Sequence, residues 1–159
     1  MKQTLIAVIL IASMWSANNI IEIAKSIDII PRIGTAMAQV QSDWDQIQAE
    51  FATLNHRQRV WLGVLEWCES TAIGTKVNKV DKDGTPSYYW YQFKPETFRA
   101  YGEKYELITK GKSILEIKEL MKDYVLTIKI MVRMVQDPDV QWTHEFPGCV
   151  AKYGPPPKD

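Results

Sequence analysis

Few side chains in this sequence could do chemistry, and Glu69 is placed best among them. Residues 56–69 put Val60, Trp61, Val64, Leu65 and Cys68 on one face of a helix. Glu69 follows Leu65 by four residues and Trp61 by eight, so it continues that apolar face. A carboxyl group there either finds a partner or is pushed up in pKa, and an acid that keeps its proton at neutral pH can donate it to a leaving oxygen. Glu66 falls toward the other side and reads as a solvated charge. Ser70 sets a hydroxyl beside the acid. As a nucleophile it would need a base, and His56 lies about 20 Å back along the helix at 1.5 Å per residue.

The other reactive residues are soon sorted. Cys68 and Cys149 are the only cysteines, and His56 and His144 the only histidines, too few for a zinc cage at local spacing. The cysteines either pair or remain separate buried thiols; pairing would close a loop worth about 4 kcal/mol. The run Asp81-Lys82-Asp83-Gly84 fails as a calcium loop. With Gly84 at the sixth position, Lys79 would be first and Trp90 twelfth. Asp81 and Asp83 read as turn residues. No metal and no cofactor is expected.

Positioning these residues is the task of an ordinary globular chain. It has 159 residues, 46% hydrophobic and 24% charged, a one-domain length and balance. Nineteen basic and nineteen acidic side chains cancel, which argues against a nucleic-acid partner. Residues 1–38 differ from the rest. Met1-Lys2-Gln3 precedes an apolar run from Leu5 to Trp15, too short for a comfortable membrane span, and Asn18, Asn19 and Glu22 block its extension. This start reads as an export signal or a retained N-terminal membrane anchor, with Ala36-Met37-Ala38 a distant cleavage candidate. Residues 39–159 would form the exported domain, in the periplasm, the cell envelope or outside the cell. Disulfides persist in such compartments.

Along that domain the periodicity predicts helices, a hairpin, then more helices. Ser42 caps a helix over 42–54 that carries Trp44, Ile47, Phe51 and Leu54, and Asn55 caps the next. Residues 76–80 and 87–92 are strand candidates around an Asp83-Gly84 turn. Alternation should send Tyr88 and Trp90 to one side and Tyr89 and Tyr91 to the other. Pro95 begins a helix to about Tyr101, which Gly102 can end. Residues 113–136, opened by a Ser113–Glu116 capping box, form one long core helix that stops near Asp137-Pro138. The tail, with Pro147-Gly148 and 154–157, reads as loop.

The order of motifs is more specific than any one of them. Leu65-Glu66-Trp67-Cys68-Glu69-Ser70, then Asn78, Asp83-Gly84-Thr85-Pro86-Ser87-Tyr88, Gln92-Phe93 and Pro95-x-Thr97-Phe98 resemble the lysozyme-like lytic transglycosylases, in particular their short exported bacterial members. The resemblance covers about residues 58–154. It implies a mainly α fold with a small β-hairpin, lysozyme-like (α+β), and cleavage of the β-1,4 bonds of peptidoglycan glycan strands. It implies that Glu69 is acid and then base, while the sugar's own 6-hydroxyl closes a 1,6-anhydro product. It further implies a Cys68–Cys149 disulfide, a C-terminal Trp142, and Gln92 at the border of the cleft. Tyr89 stands where the family's Gly-x-x-Gln has glycine, and Thr71-Ala72 where relatives usually have glycines. A tyrosine there could block a subsite or stack on a sugar.

Ser70, Tyr88, Tyr89, Trp90, Trp142 and Tyr153 are the further candidates for holding the glycan. The single convincing carboxylate favours a transglycosylase over a hydrolytic lysozyme, which would normally use two. The alternative of another class is a non-catalytic relative that binds peptidoglycan or scaffolds an envelope or secretion complex. The chain is expected to act as a monomer.

Overall fold

A computed structural model describes residues 29–71, 77–78 and 84–158. The apolar run over 5–15, most of the proposed turn over 81–83, and parts of the strand candidate over 76–80 lie outside those residues. The described part is mainly helical, with one small antiparallel sheet. In order come α1 (Ile29–Phe51), α2 (His56–Ser70), β1 (Val77–Asn78), β2 (Ser87–Tyr88), α3 (Pro95–Lys104), α4 (Ile114–Leu120), α5 (Tyr124–Gln136), α6 (Trp142–Glu145) and α7 (Pro147–Tyr153). The chain divides into two units, Met1–Trp44 and Asp45–Asp159, a division that falls within α1. In the first, described from residue 29 onward, Ile33, Met37, Val40 and Trp44 are exposed. Everything that follows concerns the second.

Its core is built around α5. Ile128, Ile130, Met131, Val132 and Met134 are fully buried, so this helix is covered nearly all round, as a central helix must be. Each such side chain contributes about 1.5–3 kcal/mol by leaving water. Leu62 and Leu65 of α2, Phe98 of α3, Ile117 of α4 and Val150 of α7 are buried in the same cluster.

The start of α2 is fixed as expected. Asn55 Oδ1 accepts from Gln58 N at 2.9 Å and Gln58 Oε1 accepts from Asn55 N at 3.0 Å, a reciprocal cap. Gln58 also donates from Nε2 to Pro157 O at 3.4 Å, and Trp61 Nε1 donates to Gly154 O at 3.0 Å. The N-terminal half of α2 therefore straps down the end of the chain.

Several expectations need correction. Ser42 does not stand at a helix start, because α1 begins at Ile29 and passes straight through it. The long helix over 113–136 is two helices. The Ser113–Glu116 box opens α4, but Asp123 leaves the helical region and caps α5, its Oδ1 accepting from Leu126 N at 3.0 Å. An aspartate that prefers capping to continuing interrupts a periodicity that would otherwise run on. Gly102 does not end α3, which continues to Lys104. It is there for close approach: a Cβ would sit 2.3 Å from Ile108 Cδ1, and its carbonyl accepts from Leu107 N and Ile108 N at 2.9 and 3.0 Å. Pro147-Gly148 is not loop but the first turn of α7, which follows the short α6, while residues 154–157 are non-helical as expected.

The return strand also stops early. β1 pairs with β2 through Val77–Tyr88 and Asn78–Ser87, after which Tyr89–Gln92 turn back and Phe93 bridges to Tyr88. The alternation expected over residues 88–91 does not exist. Tyr91 is buried, while Tyr88, Tyr89 and Trp90 are half-buried.

Candidate active site

Glu69 is the penultimate residue of α2. The helix ends there because Thr71 takes the left-handed conformation (φ 55°) and returns its N–H to Trp67 O at 2.8 Å. Ser70 is fully buried, and its hydroxyl donates to Glu66 O at 3.1 Å. It seals the helix end and has no surface to offer a ligand.

The half-buried Glu69 lines a groove of about 640 Å³. Gln92, Phe93, Lys94 and Thr97 line it from the turn and the start of α3, and residues 144–149 from the α6–α7 corner. Cys149 lies within that last stretch and forms a disulfide with Cys68, Cα to Cα 5.9 Å. The bridge thus joins the residue next to Glu69 to the facing lining. Trp61 and Leu65, expected as the wall beside Glu69, are in the core and do not line the groove; Phe93 and Phe146 take that place, 5.5 Å apart between ring centroids.

The turn that carries Gln92 explains its sequence. Tyr89 and Gln92 both have positive φ, 61° and 50°, at its two ends. Gln92 Nε2 donates to Tyr89 O at 2.7 Å, and Ser87 Oγ donates to Gln92 Oε1 at 3.3 Å. The side-chain amide thereby reinforces the backbone turn bond from Gln92 N to the same carbonyl at 3.4 Å, and position 89 is one that glycine fills without strain. Tyr89 holds it at a cost of about 1 kcal/mol. Its ring lies 5.8 Å from that of Tyr88 and is not among the groove's described lining.

The remaining glycan-binding candidates scatter. Tyr88 lies under Lys118 Nζ at 5.1 Å, and Trp90 packs on Tyr124 at 4.4 Å between centroids. Trp142 is buried edge-on to Trp61 at 4.8 Å, so it is core. Tyr153 is exposed at the end of α7, outside the groove. Asp81 and Asp83 fall outside the described residues.

Two acids were not foreseen in their actual settings. Glu66 is no solvated charge: its Oε2 accepts from Tyr91 Oη at 3.3 Å and from Tyr124 Oη at 3.1 Å. Burial raises its pKa above the ordinary carboxylate value, against the lowering effect of the Tyr124 and Tyr91 hydrogen bonds. Leu62 was the missing signal. It is fully buried, and Glu66 follows it by four residues, while the Val60 counted in its stead is exposed. Glu145 lines the groove itself, its Oε1 accepting from Tyr101 Oη at 2.9 Å. Its proximity to Cys149 in sequence could have found it, since the disulfide brings that stretch to Glu69. No protein-family model, curated protein or solved structure matches this chain.

Proposed function

We propose that this chain is an exported, lysozyme-like lytic transglycosylase that cleaves the β-1,4 glycosidic bonds of peptidoglycan glycan strands, with Glu69 as its acid and base. The observation that carries the reading is the meeting of Glu69 and Gln92 on one groove, beside the Cys68–Cys149 bridge. These residues are far apart in sequence, yet all were singled out by the one resemblance. The left-handed backbone at Tyr89 adds to it, because glycine is the residue expected there. Export agrees with the disulfide, and no described helix is long and apolar enough to cross a membrane.

In this mechanism Glu69 protonates the leaving glycosidic oxygen as the sugar develops oxocarbenium character. The resulting carboxylate then takes the proton of the same sugar's 6-hydroxyl, whose oxygen closes on the anomeric carbon as a 1,6-anhydro ring. Glu69 is thereby reprotonated and no water is consumed.

Glu145 favours a second reading, a hydrolytic lysozyme, because a second carboxylate on the groove could activate water. Mass spectrometry of purified peptidoglycan treated with the protein separates the two. Anhydro-muropeptides support the transglycosylase, and reducing-end products the lysozyme. Binding without cleavage would instead mark a glycan-binding envelope protein.

A further inference from the structure

Glu145 is a second carboxylate in the described lining of the groove that holds Glu69. It closes α6, immediately before the Phe146-Pro147 corner that lines the groove. Its Oε1 is engaged by the Tyr101 hydroxyl at 2.9 Å and lies 3.5 Å from His144 Nδ1. The side chain keeps only 15% of its surface. Its Oε2, however, takes no hydrogen bond from a described residue and is not sealed from solvent. A groove-lining carboxylate with one oxygen anchored and the other not hydrogen-bonded by a described residue is an oriented acceptor.

The ligand chemistry follows from what such an oxygen can take. A neutral 1,4-linked glycan of N-acetylated sugars presents hydroxyl and acetamide N–H donors along its length, and hydrogen bonds to a charged acceptor are the stronger kind. We propose that Glu145 is a sugar-positioning residue of the groove, its Oε2 accepting a hydrogen bond from a hydroxyl or acetamide N–H of the strand whose linkage Glu69 attacks, with Tyr101 fixing the carboxylate for that purpose. The proposal rests on the functional reading above, and it differs from the hydrolytic alternative in giving Glu145 no proton to move.

The test uses the full chain with Glu69→Gln as the parent, so that ligand is not consumed, and the N-acetylglucosamine hexamer as probe in calorimetric titration. Adding Glu145→Ala should weaken binding by about 10–100-fold, the range for a lost charged hydrogen bond. Glu145→Gln, which keeps an acceptor oxygen, should recover part of the loss. Tyr101→Phe, which frees the carboxylate, should weaken binding by about 3–5-fold. With Glu69 intact, Glu145→Gln should raise KM on peptidoglycan and leave kcat nearly unchanged, the mark of positioning rather than proton transfer. Parent-like affinity in Glu145→Ala overturns the proposal, as does failure of the parent to bind the hexamer. If Glu145→Ala does not fold, parent-like affinity in both Glu145→Gln and Tyr101→Phe overturns it. A fall in kcat to the level of Glu69→Gln would overturn it in favour of a second catalytic carboxylate. Should the wild type bind the hexamer yet cleave nothing, the enzymatic reading fails while the Glu145→Ala comparison still decides this one.

Discussion

Glu66 and Glu69 sit three residues apart on one helix and live in different surroundings. Glu66 faces inward, tied by two tyrosine hydroxyls from the aromatic turn and from the start of α5. Glu69 lines an open groove beside a disulfide. The carboxyl group raised by burial is therefore not the one that a polymer can reach in that groove. A perturbed acid is a candidate for catalysis only if substrate has access to it. Here the inward one fastens three segments together, and the outward one lines the groove.

The sharpest way to break this contrast is to exchange amides for acids. Glu69→Gln should lower peptidoglycan cleavage by about 10²–10⁴-fold, the usual worth of a positioned acid, without moving the melting temperature. If Glu66→Gln abolished cleavage and Glu69→Gln did not, the roles would be reversed.

Opening the disulfide comes next in size. Cys68 lies between the two glutamates, but its bridge runs to the groove side. Cys149→Ser should cost about 2–5 kcal/mol in denaturant unfolding. Under conditions where the variant stays folded, near-ultraviolet spectra of the Tyr91 and Tyr124 environment should persist while glycan affinity falls.

The Glu66 side responds to smaller changes. Glu66→Leu leaves two phenol hydroxyls without their acceptor and should cost about 2 kcal/mol, whereas Glu66→Gln keeps an oxygen and should cost less than about 1 kcal/mol. Its raised pKa also fixes a pH dependence. The folded state holds the proton more tightly than the unfolded one, so this contribution to stability is fully present below the ordinary value of 4.5 and is lost as pH rises through the raised value. Thermal melts of the wild type should show that decline, and melts of Glu66→Gln should lack it.

Tyr89→Gly should have the smallest effect. It relieves about 1 kcal/mol of left-handed strain but gives up the ring's packing and stiffens nothing in return, so stability should stay within about 1 kcal/mol of wild type. Because Tyr89 is not in the groove's described lining, turnover should also be nearly unchanged. A large gain in activity would mean that the ring does obstruct the glycan.

The local signals in the sequence read well where one rule acted alone. Asn55 as a cap and Ser113 with Glu116 as a box mark helix starts, and both caps are formed. The Cys68–Cys149 pairing implied by the motif order is also present. The reading failed where two rules compete at one residue. Asp123 can ride a helix or cap one, and Gly102 can end a helix or admit a neighbour; tertiary packing decides, and a single segment does not contain it. Tyr88 to Gln92 look like a strand by composition, yet the Gln92 amide closes them into a turn. Glu66 does not read as buried from the sequence, because a face drawn through Val60 instead of Leu62 rotates the whole helix. Glu145 was missed because its importance comes from the chain partner of Cys149, not from its own neighbours.

The order in which the groove's sides are made has a consequence for timing. A ribosome delivers Glu69 long before residues 144–149, and the straps at Gly154 and Pro157 come later still. A nascent chain therefore carries the acid without the facing side of its groove, and the bridge that joins them cannot close until Cys149 has emerged into an oxidising space. The side of the groove that carries Glu69 is thus tied covalently to residues 144–149 only in the completed, oxidised chain.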